Sequence, residues 1–227
     1  MKTILVIGGS KGIGNAILSN LVEHNVVINY SRTSPLLSHA NLTHISGDIL
    51  SGNLPEINTI DSLIYCPGSI NLKPVNRLSL NDFREDFEIN VIGAVKAIQH
   101  YLPSLKKGYQ PSILLFSTVA TKLGMPFHAS VAAAKSAVEG LTKSLGAELA
   151  PTIRVNAIAP TVTDTSLASK LLRNDKMIEN IKERHPLKKI LQPQEVADLA
   201  CFLISEKALS ISGQIFELDG GIVSFKL

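Results

Sequence analysis

The chain has 227 residues, with 22 Lys and Arg against 19 Asp and Glu, and only 18% of it is charged while 45% is apolar. Charged residues make up about 25% of an ordinary soluble protein, so this composition argues for a sizeable core and against intrinsic disorder. The net charge of +3 is mild, with Lys106-Lys107 and Lys188-Lys189 the adjacent basic pairs, which leaves neither a nucleic-acid stripe nor a polybasic membrane anchor.

Residues 4–7 form a short apolar run ending in glycines, the mark of a buried strand. Ile13, Ala16, Ile17 and Leu21 follow with helical spacing, and the β-branched residues 26–28 predict a second strand. Between residues 45 and 63, Gly47, Gly52 and Pro55 interrupt any helical period, so the crossover there is expected to be short or irregular. Strands are predicted over 63–65, 113–116, 155–158 and 215–218. Helices are predicted over 81–105, stopped by Pro103 and Gly108, and over 129–149, 166–184 and 194–205. Strands alternating with helices imply an α/β fold with a parallel sheet covered on both faces. With no repeat, low-complexity tract or linker, residues 1–227 are expected to form one domain.

Cys66 and Cys201 are 135 residues apart without metal-ligand spacing, so reduced, buried thiols and no metal site are expected. Only four apolar residues separate Thr3 from Gly8, too few for a signal peptide, and no run approaches the ~20 apolar residues of a membrane helix. A cytoplasmic protein with no membrane or nucleic-acid partner is the expectation.

Gly8-Gly9-Ser10-Lys11-Gly12-Ile13-Gly14 joins the first strand to the first helix. Glycines at such a junction let the backbone approach a pyrophosphate, which rests on amide donors at the helix N-terminus. The spacing G-x-x-x-G-x-G is neither G-x-G-x-x-G nor a Walker pattern, and a plain strand-to-helix turn is the competing reading. The second strand ends Asn29-Tyr30-Ser31-Arg32, without the carboxylate that would bind a ribose 2′-hydroxyl and repel a 2′-phosphate. Arg32 and Lys11 together favour NADP over NAD.

Further segments appear in a recognisable order: Gly47-Asp48-Ile49, Tyr65-Cys66-Pro67-Gly68, Phe87-Glu88-Ile89-Asn90-Val91, Ile158-Ala159-Pro160 with Thr165, Ser212-Gly213-Gln214 and Asp219-Gly220-Gly221. With the glycine loop they resemble the short-chain dehydrogenase/reductase family over nearly the whole chain. The resemblance implies one doubly wound Rossmann-type sheet of about seven strands with helices on both faces. It implies NADP(H) as cofactor, a small carbonyl or alcohol as substrate, and a homodimer or homotetramer. The helices over 81–105 and 129–149 would form the shared face, with Ala132, Ala133, Ala137 and Gly140 permitting close approach.

Carried over position by position, the resemblance assigns the cofactor to Gly8, Ser10, Lys11, Gly12, Ile13, Gly14, Ser31, Arg32, Asp48, Ile49, Cys66, Gly68, Asn90, Lys135, Pro160, Thr163 and Thr165. Three segments depart from the family pattern: Tyr65-Cys66-Pro67 stands for Asn-Asn-Ala, Thr161 for a Gly, and Val131 for the catalytic Tyr. Family chemistry is hydride transfer between nicotinamide C4 and a carbonyl or alcohol carbon. A Tyr in Y-x-x-x-K exchanges the proton, and its Lys holds the nicotinamide ribose.

Lys135 matches that Lys, Asn90 the helix Asn, and Thr118, thirteen residues before Val131, the substrate-binding Ser, with Ser117 as fallback. Valine has no exchangeable proton. His128 shares a helix face with Val131 and Lys135 if the helix begins early enough, and its imidazole is one candidate donor. The competing reading has His128 capping the helix or facing solvent; Lys135 acting through water or ribose hydroxyls is a further route. Two functions therefore stand side by side. One is an NADPH-dependent reductase with an unusual proton donor; the other is a catalytically silent NADP(H)-binding protein. Leu167, Leu171, Leu172, Met177 and Ile178 supply apolar material for a substrate pocket or for an ordinary packed helix.

Overall fold

The short apolar runs extend and pair edge to edge. In the computed structural model, which describes residues 1–225, there are seven strands: β1 (Thr3–Ile7), β2 (Val26–Ser31), β3 (Leu42–Ser46), β4 (Ser62–Tyr65), β5 (Ser112–Phe116), β6 (Arg154–Pro160) and β7 (Ile215–Leu218). They form one parallel sheet in the order β3-β2-β1-β4-β5-β6-β7. Alternation along each strand sends side chains to two cores. Leu5, Ile7, Leu63, Ile113, Leu115, Val155 and Ala157 face helices α3 (Gly93–Leu105) and α4 (Ala129–Glu148), while α2 (Leu80–Phe87) packs against α4. Ile4, Val6, Ile64, Leu114, Phe116 and Ile158 face α1 (Gly12–Leu21) and α6 (Pro193–Ile204). The fold is therefore α/β, Rossmann-type, with helices on both faces.

The chain runs outward through β1, β2 and β3, then returns to place β4 on the other side of β1. That reversal opens a crevice beyond the C-terminal ends of β1 and β4, the position where doubly wound sheets bind ligands.

Three expectations change. Residues 42–46 are strand β3, at the sheet edge, where half-exposed Thr43 and Ser46 dilute the apolar signal. Neither the connection into it nor the one out to β4 contains a helix. The helix expected over 81–105 is interrupted by a π-helical turn, Glu88–Ile92, and α3 runs through Pro103 to Leu105. The last turn is held from outside: Ile60 N–H donates to the Ser104 carbonyl and Ser104 Oγ to that of Ile57, while Leu105 is fully buried. Tertiary contacts here outweigh the local cost of a proline. Of residues 166–184, only α5 (Asp175–Arg184) is α-helical, started by Asn174, whose side chain accepts from Met177 N–H. A single 3-10 turn, Ser166–Ala168, precedes it.

No helix among the described residues is long and apolar enough to cross a membrane. Leu63 is fully buried at the centre of the sheet, so Leu63→Ala is expected to cost about 2–5 kcal/mol in urea unfolding, with the m-value unchanged.

Candidate active site

The glycine loop is shaped by contacts that leave no room for side chains. Gly8 has φ of +81°, and a Cβ on Gly14 would lie 2.4 Å from the Gly8 carbonyl oxygen. The loop is pinned from below: buried Asn29 on β2 accepts from Gly9 N–H at 2.9 Å. Asn29 Nδ2 also donates to Ser31 Oγ at 3.0 Å, and Ser31 donates to the Thr33 carbonyl. The Ser31 hydroxyl is thus turned inward and occupied, while Thr33 donates to Ser10 Oγ at 3.1 Å and ties the strand end to the loop. Lys11 and Arg32 flank this link; both are exposed, and neither forms an ion pair with another described residue.

Pro67, after β4, lies against Gly8, and Thr165, after β6, lies against Gly12. The segments following three strands therefore meet around one crevice. Asp48, after β3, is half-buried and accepts from Leu50 N–H, and Ile49 beside it is buried. In the 160–165 segment, Thr163 donates to the Thr161 carbonyl and Thr165 to that of Thr163. Thr161 itself meets a histidine. His185 Nδ1 lies 2.7 Å from the Ile181 carbonyl, which only accepts, so Nδ1 carries the proton and Nε2 accepts from Thr161 Oγ1 at 2.7 Å.

At the inner end of the crevice a pocket is lined by Cys66, Gly68, Ser69, Ser117, Thr118, His128, Val131, Lys135, Pro160, Thr163, Thr165 and others. Lys135 comes from α4 and is 9% exposed; its Nζ donates to the Phe116 carbonyl at 2.8 Å. Burial brings its pKa down to about 8, opposed by neighbouring Cys66 and Asp86. Burial also pushes the Cys66 thiol up to about 12. One turn before Lys135 stands Val131, 4% exposed. None of the four tyrosines lines the pocket: the Tyr65 hydroxyl donates to the Ile89 carbonyl and that of Tyr101 to the Pro55 carbonyl.

The two candidate hydroxyls on β5's far end behave differently. Ser117 donates to Glu139 Oε1 at 2.7 Å, as does Thr121. Thr118 opens a short 3-10 turn, accepting from Ala120 N–H at 3.4 Å, which leaves its own proton available to a ligand. Asn90 sits in the π-helical turn and donates to the Asp86 carbonyl at 2.7 Å; its Oδ1 is buried with no partner. His128 is the residue immediately before α4, with Nδ1 2.7 Å from the Pro126 carbonyl.

Comparison with known proteins places this arrangement. A family model described as Enoyl-(Acyl carrier protein) reductase matches residues 52–223. The chain belongs to the short-chain dehydrogenase/reductase family. Among similar members, the 3-oxoacyl-(acyl-carrier-protein) reductase FabG of Staphylococcus epidermidis is 27% identical, over 97% of this chain and 98% of its own. The ligand-free structure of Thermoplasma acidophilum aldohexose dehydrogenase superposes with a TM-score of 0.90 at 29% identity, covering 99% of this chain and 95% of that one. ElxO, solved with NADP bound, gives 0.87 at 25% identity, covering 99% and 100%. The chain is thus an oxidoreductase of this family, whose relatives act on carbonyl and alcohol groups.

The dehydrogenase/reductase crevice draws together most of the residues expected from sequence. Leu167 and Leu171 reach the pocket, whereas Leu172, Met177 and Ile178 do not line it. Asn29, Glu139 and His185 were missed; an isolated polar residue in an apolar strand was the only signal, and it applies to Asn29 alone. A dinucleotide suits the residues present, given the closely packed glycines of the loop and two cations, Lys11 and Arg32, that form no ion pair with another described residue. Gly14→Ala must displace the Gly8 backbone, so NADPH binding followed by fluorescence is expected to weaken about tenfold or more, with the melting transition retained.

Proposed function

We propose that the protein is an NADPH-dependent reductase of small carbonyl compounds that obtains its proton from a group other than residue 131. One observation supports this above the others: Lys135 keeps a buried ammonium in the pocket wall, beside a valine that has no proton to give. Gly8, Gly12 and Gly14 would hold the pyrophosphate, Lys11 and Arg32 the 2′-phosphate, and Ser10, Ile13, Asp48, Ile49, Cys66, Gly68, Pro160, Thr163 and Thr165 the rest of the dinucleotide. Ser31 acts in this reading through its backbone and its bond to Thr33. NADPH, when bound, supplies the hydride.

Thr118 donates a hydrogen bond to the carbonyl oxygen and orients it. As the carbon gains the hydride, the carbonyl electron pair moves to that oxygen, which then takes one proton. Lys135 Nζ, holding three protons of which one binds the Phe116 carbonyl, is the favoured source, acting directly or through water. His128, whose Nδ1 proton is engaged by Pro126, delivers through Nε2 only when charged and is the second candidate. Losing a positioned general acid costs typically 10²–10⁴-fold, so slow turnover is compatible with Val131. A homodimer or homotetramer through α3 and α4 completes the reading; Ala133 and Gly140 are exposed on α4.

A second reading, a silent NADP(H)-binding protein, draws on the burial of Val131 itself. NADPH oxidation with a reactive dicarbonyl, run on the native protein beside Val131→Tyr, separates the two. Measurable native turnover, raised about 10²-fold or more by the tyrosine, is expected. Inactivity of the native protein with an active Val131→Tyr would leave the binding function instead. His128→Ala is expected to change the native rate less than about threefold. Because the Lys135 ammonium is the acid, the reductive rate is full below its pKa and falls as pH rises through about 8.

A further inference from the structure

Asp86 has no part in the chemistry above, yet its side chain is fully buried on α2, and the residue it holds, Ser69, lines the pocket. One oxygen, Oδ1, accepts from Ser69 Oγ at 2.6 Å and from Asn71 Nδ2 at 3.1 Å; the other, Oδ2, has no partner among the described residues. Burying a carboxylate is costly unless something nearby compensates it. Asn90, one turn on, donates to both the Asp86 carbonyl and Ser69 Oγ, and its own Oδ1 is likewise buried without a partner.

Lys135 lies on the other side of this group. A Cβ built on Gly68 would sit 3.1 Å from Asn90 Oδ1 and 3.6 Å from Lys135 Nζ, so the amide and the ammonium share the space over that glycine. One buried acceptor without a donor among the described residues, Asn90 Oδ1, therefore adjoins the ammonium, and the Asp86 carboxylate is joined to that amide through Ser69.

We propose that Asp86 is the counter-charge of the site, a positioning residue whose buried carboxylate holds the Lys135 ammonium charged. Each other element packed around Lys135 brings a group that is neutral or already engaged. The loop after β4 brings Cys66, a neutral thiol in the range where Lys135 titrates, since burial places it near 12. The end of β5 contributes only the Phe116 carbonyl. On α4, Glu139 is engaged with Ser117 and Thr121, and His128 lies at the pocket rim before the first turn. The Lys73–Asp82 pair, a turn before Asp86, is closed on itself at 2.6 Å. Asp86 is the carboxylate whose charge opposes the loss of the Lys135 proton.

The proposal rests on the reductase reading for its catalytic meaning, but its test does not need turnover. Protein carrying 13C at the lysine ε carbon is titrated by NMR, with Lys135→Met identifying the resonance. The native midpoint is expected near 8, and Asp86→Asn is expected to lower it by about one pH unit. Ser69→Ala removes an anchor of the 69–71 loop without removing charge, and is expected to leave the midpoint in place. An unchanged midpoint in Asp86→Asn, or the same fall in Ser69→Ala, would overturn the proposal. If Asp86→Asn fails to fold, the pair Asp86→Glu and Asp86→Gln, alike in shape and different in charge, carries the comparison with the same two outcomes. In the active enzyme the fall in reductive kcat/KM at high pH moves down with the midpoint. A native protein without turnover would sink the reductase reading alone, since the NMR midpoint still decides Asp86.

Discussion

A lysine ammonium buried in the pocket wall is the constraint on which the site depends. Desolvation alone drives such a group toward its neutral form, so its surroundings must supply acceptors and opposite charge. The Phe116 carbonyl at the end of β5 gives one acceptor, and the helix bearing Asp86 and Asn90 crosses at the depth where further ones are needed. The π-helical turn at Glu88–Ile92 places Asn90 there. Such turns insert one residue and re-aim the side chains around it, and they recur at functional sites. Gly68 completes the arrangement by having no side chain where the amide and ammonium meet.

The sheet puts these parts within reach of one another. Reversal of strand order between β1 and β4 leaves their C-terminal ends uncovered. The glycine loop, Cys66 to Ser69, and the segment from Pro160 to Thr165 all leave the sheet at that edge. Buried polar bonds then hold each segment: Asn29 under the glycine loop, Glu139 under Ser117, and His185 under Thr161. These side chains touch no ligand position, yet a loop cannot be placed to within tenths of an ångström by apolar packing alone.

In the proposed reading, Val131 leaves the pocket wall without a proton donor at that position while α4 still packs. An aliphatic side chain on the buried face of α4 satisfies packing as well as a phenol would, so helix, pocket and family membership all survive. Of the protons left at the pocket wall, that reading draws on those of Lys135, Thr118 and, at the rim, His128. Tyr30, Tyr65 and Tyr101 supply no proton there, because their hydroxyls are committed to backbone carbonyls and none of them lines the pocket.

Much of this was legible without coordinates. Apolar runs of four or five residues identify the inner strands because both faces of a parallel sheet are buried. The glycine loop is read from its spacing, and Asn90, Thr118, Val131 and Lys135 from the resemblance of their segments to the family pattern. Strand β3 escaped because an edge strand is half wet, and the π-helical turn because apolar periodicity continues through it. The sequence by itself determined the alternating fold, the nucleotide loop and the valine, since each is a local pattern of residue types. Tertiary packing alone sets that Ser117 turns to Glu139 while Thr118 does not, that Ser31 is occupied, and that Asp86 is buried against Ser69 and Asn71. Those outcomes depend on which side chains from distant segments compete for the same buried hydrogen bonds, and separation along the chain carries no record of that competition.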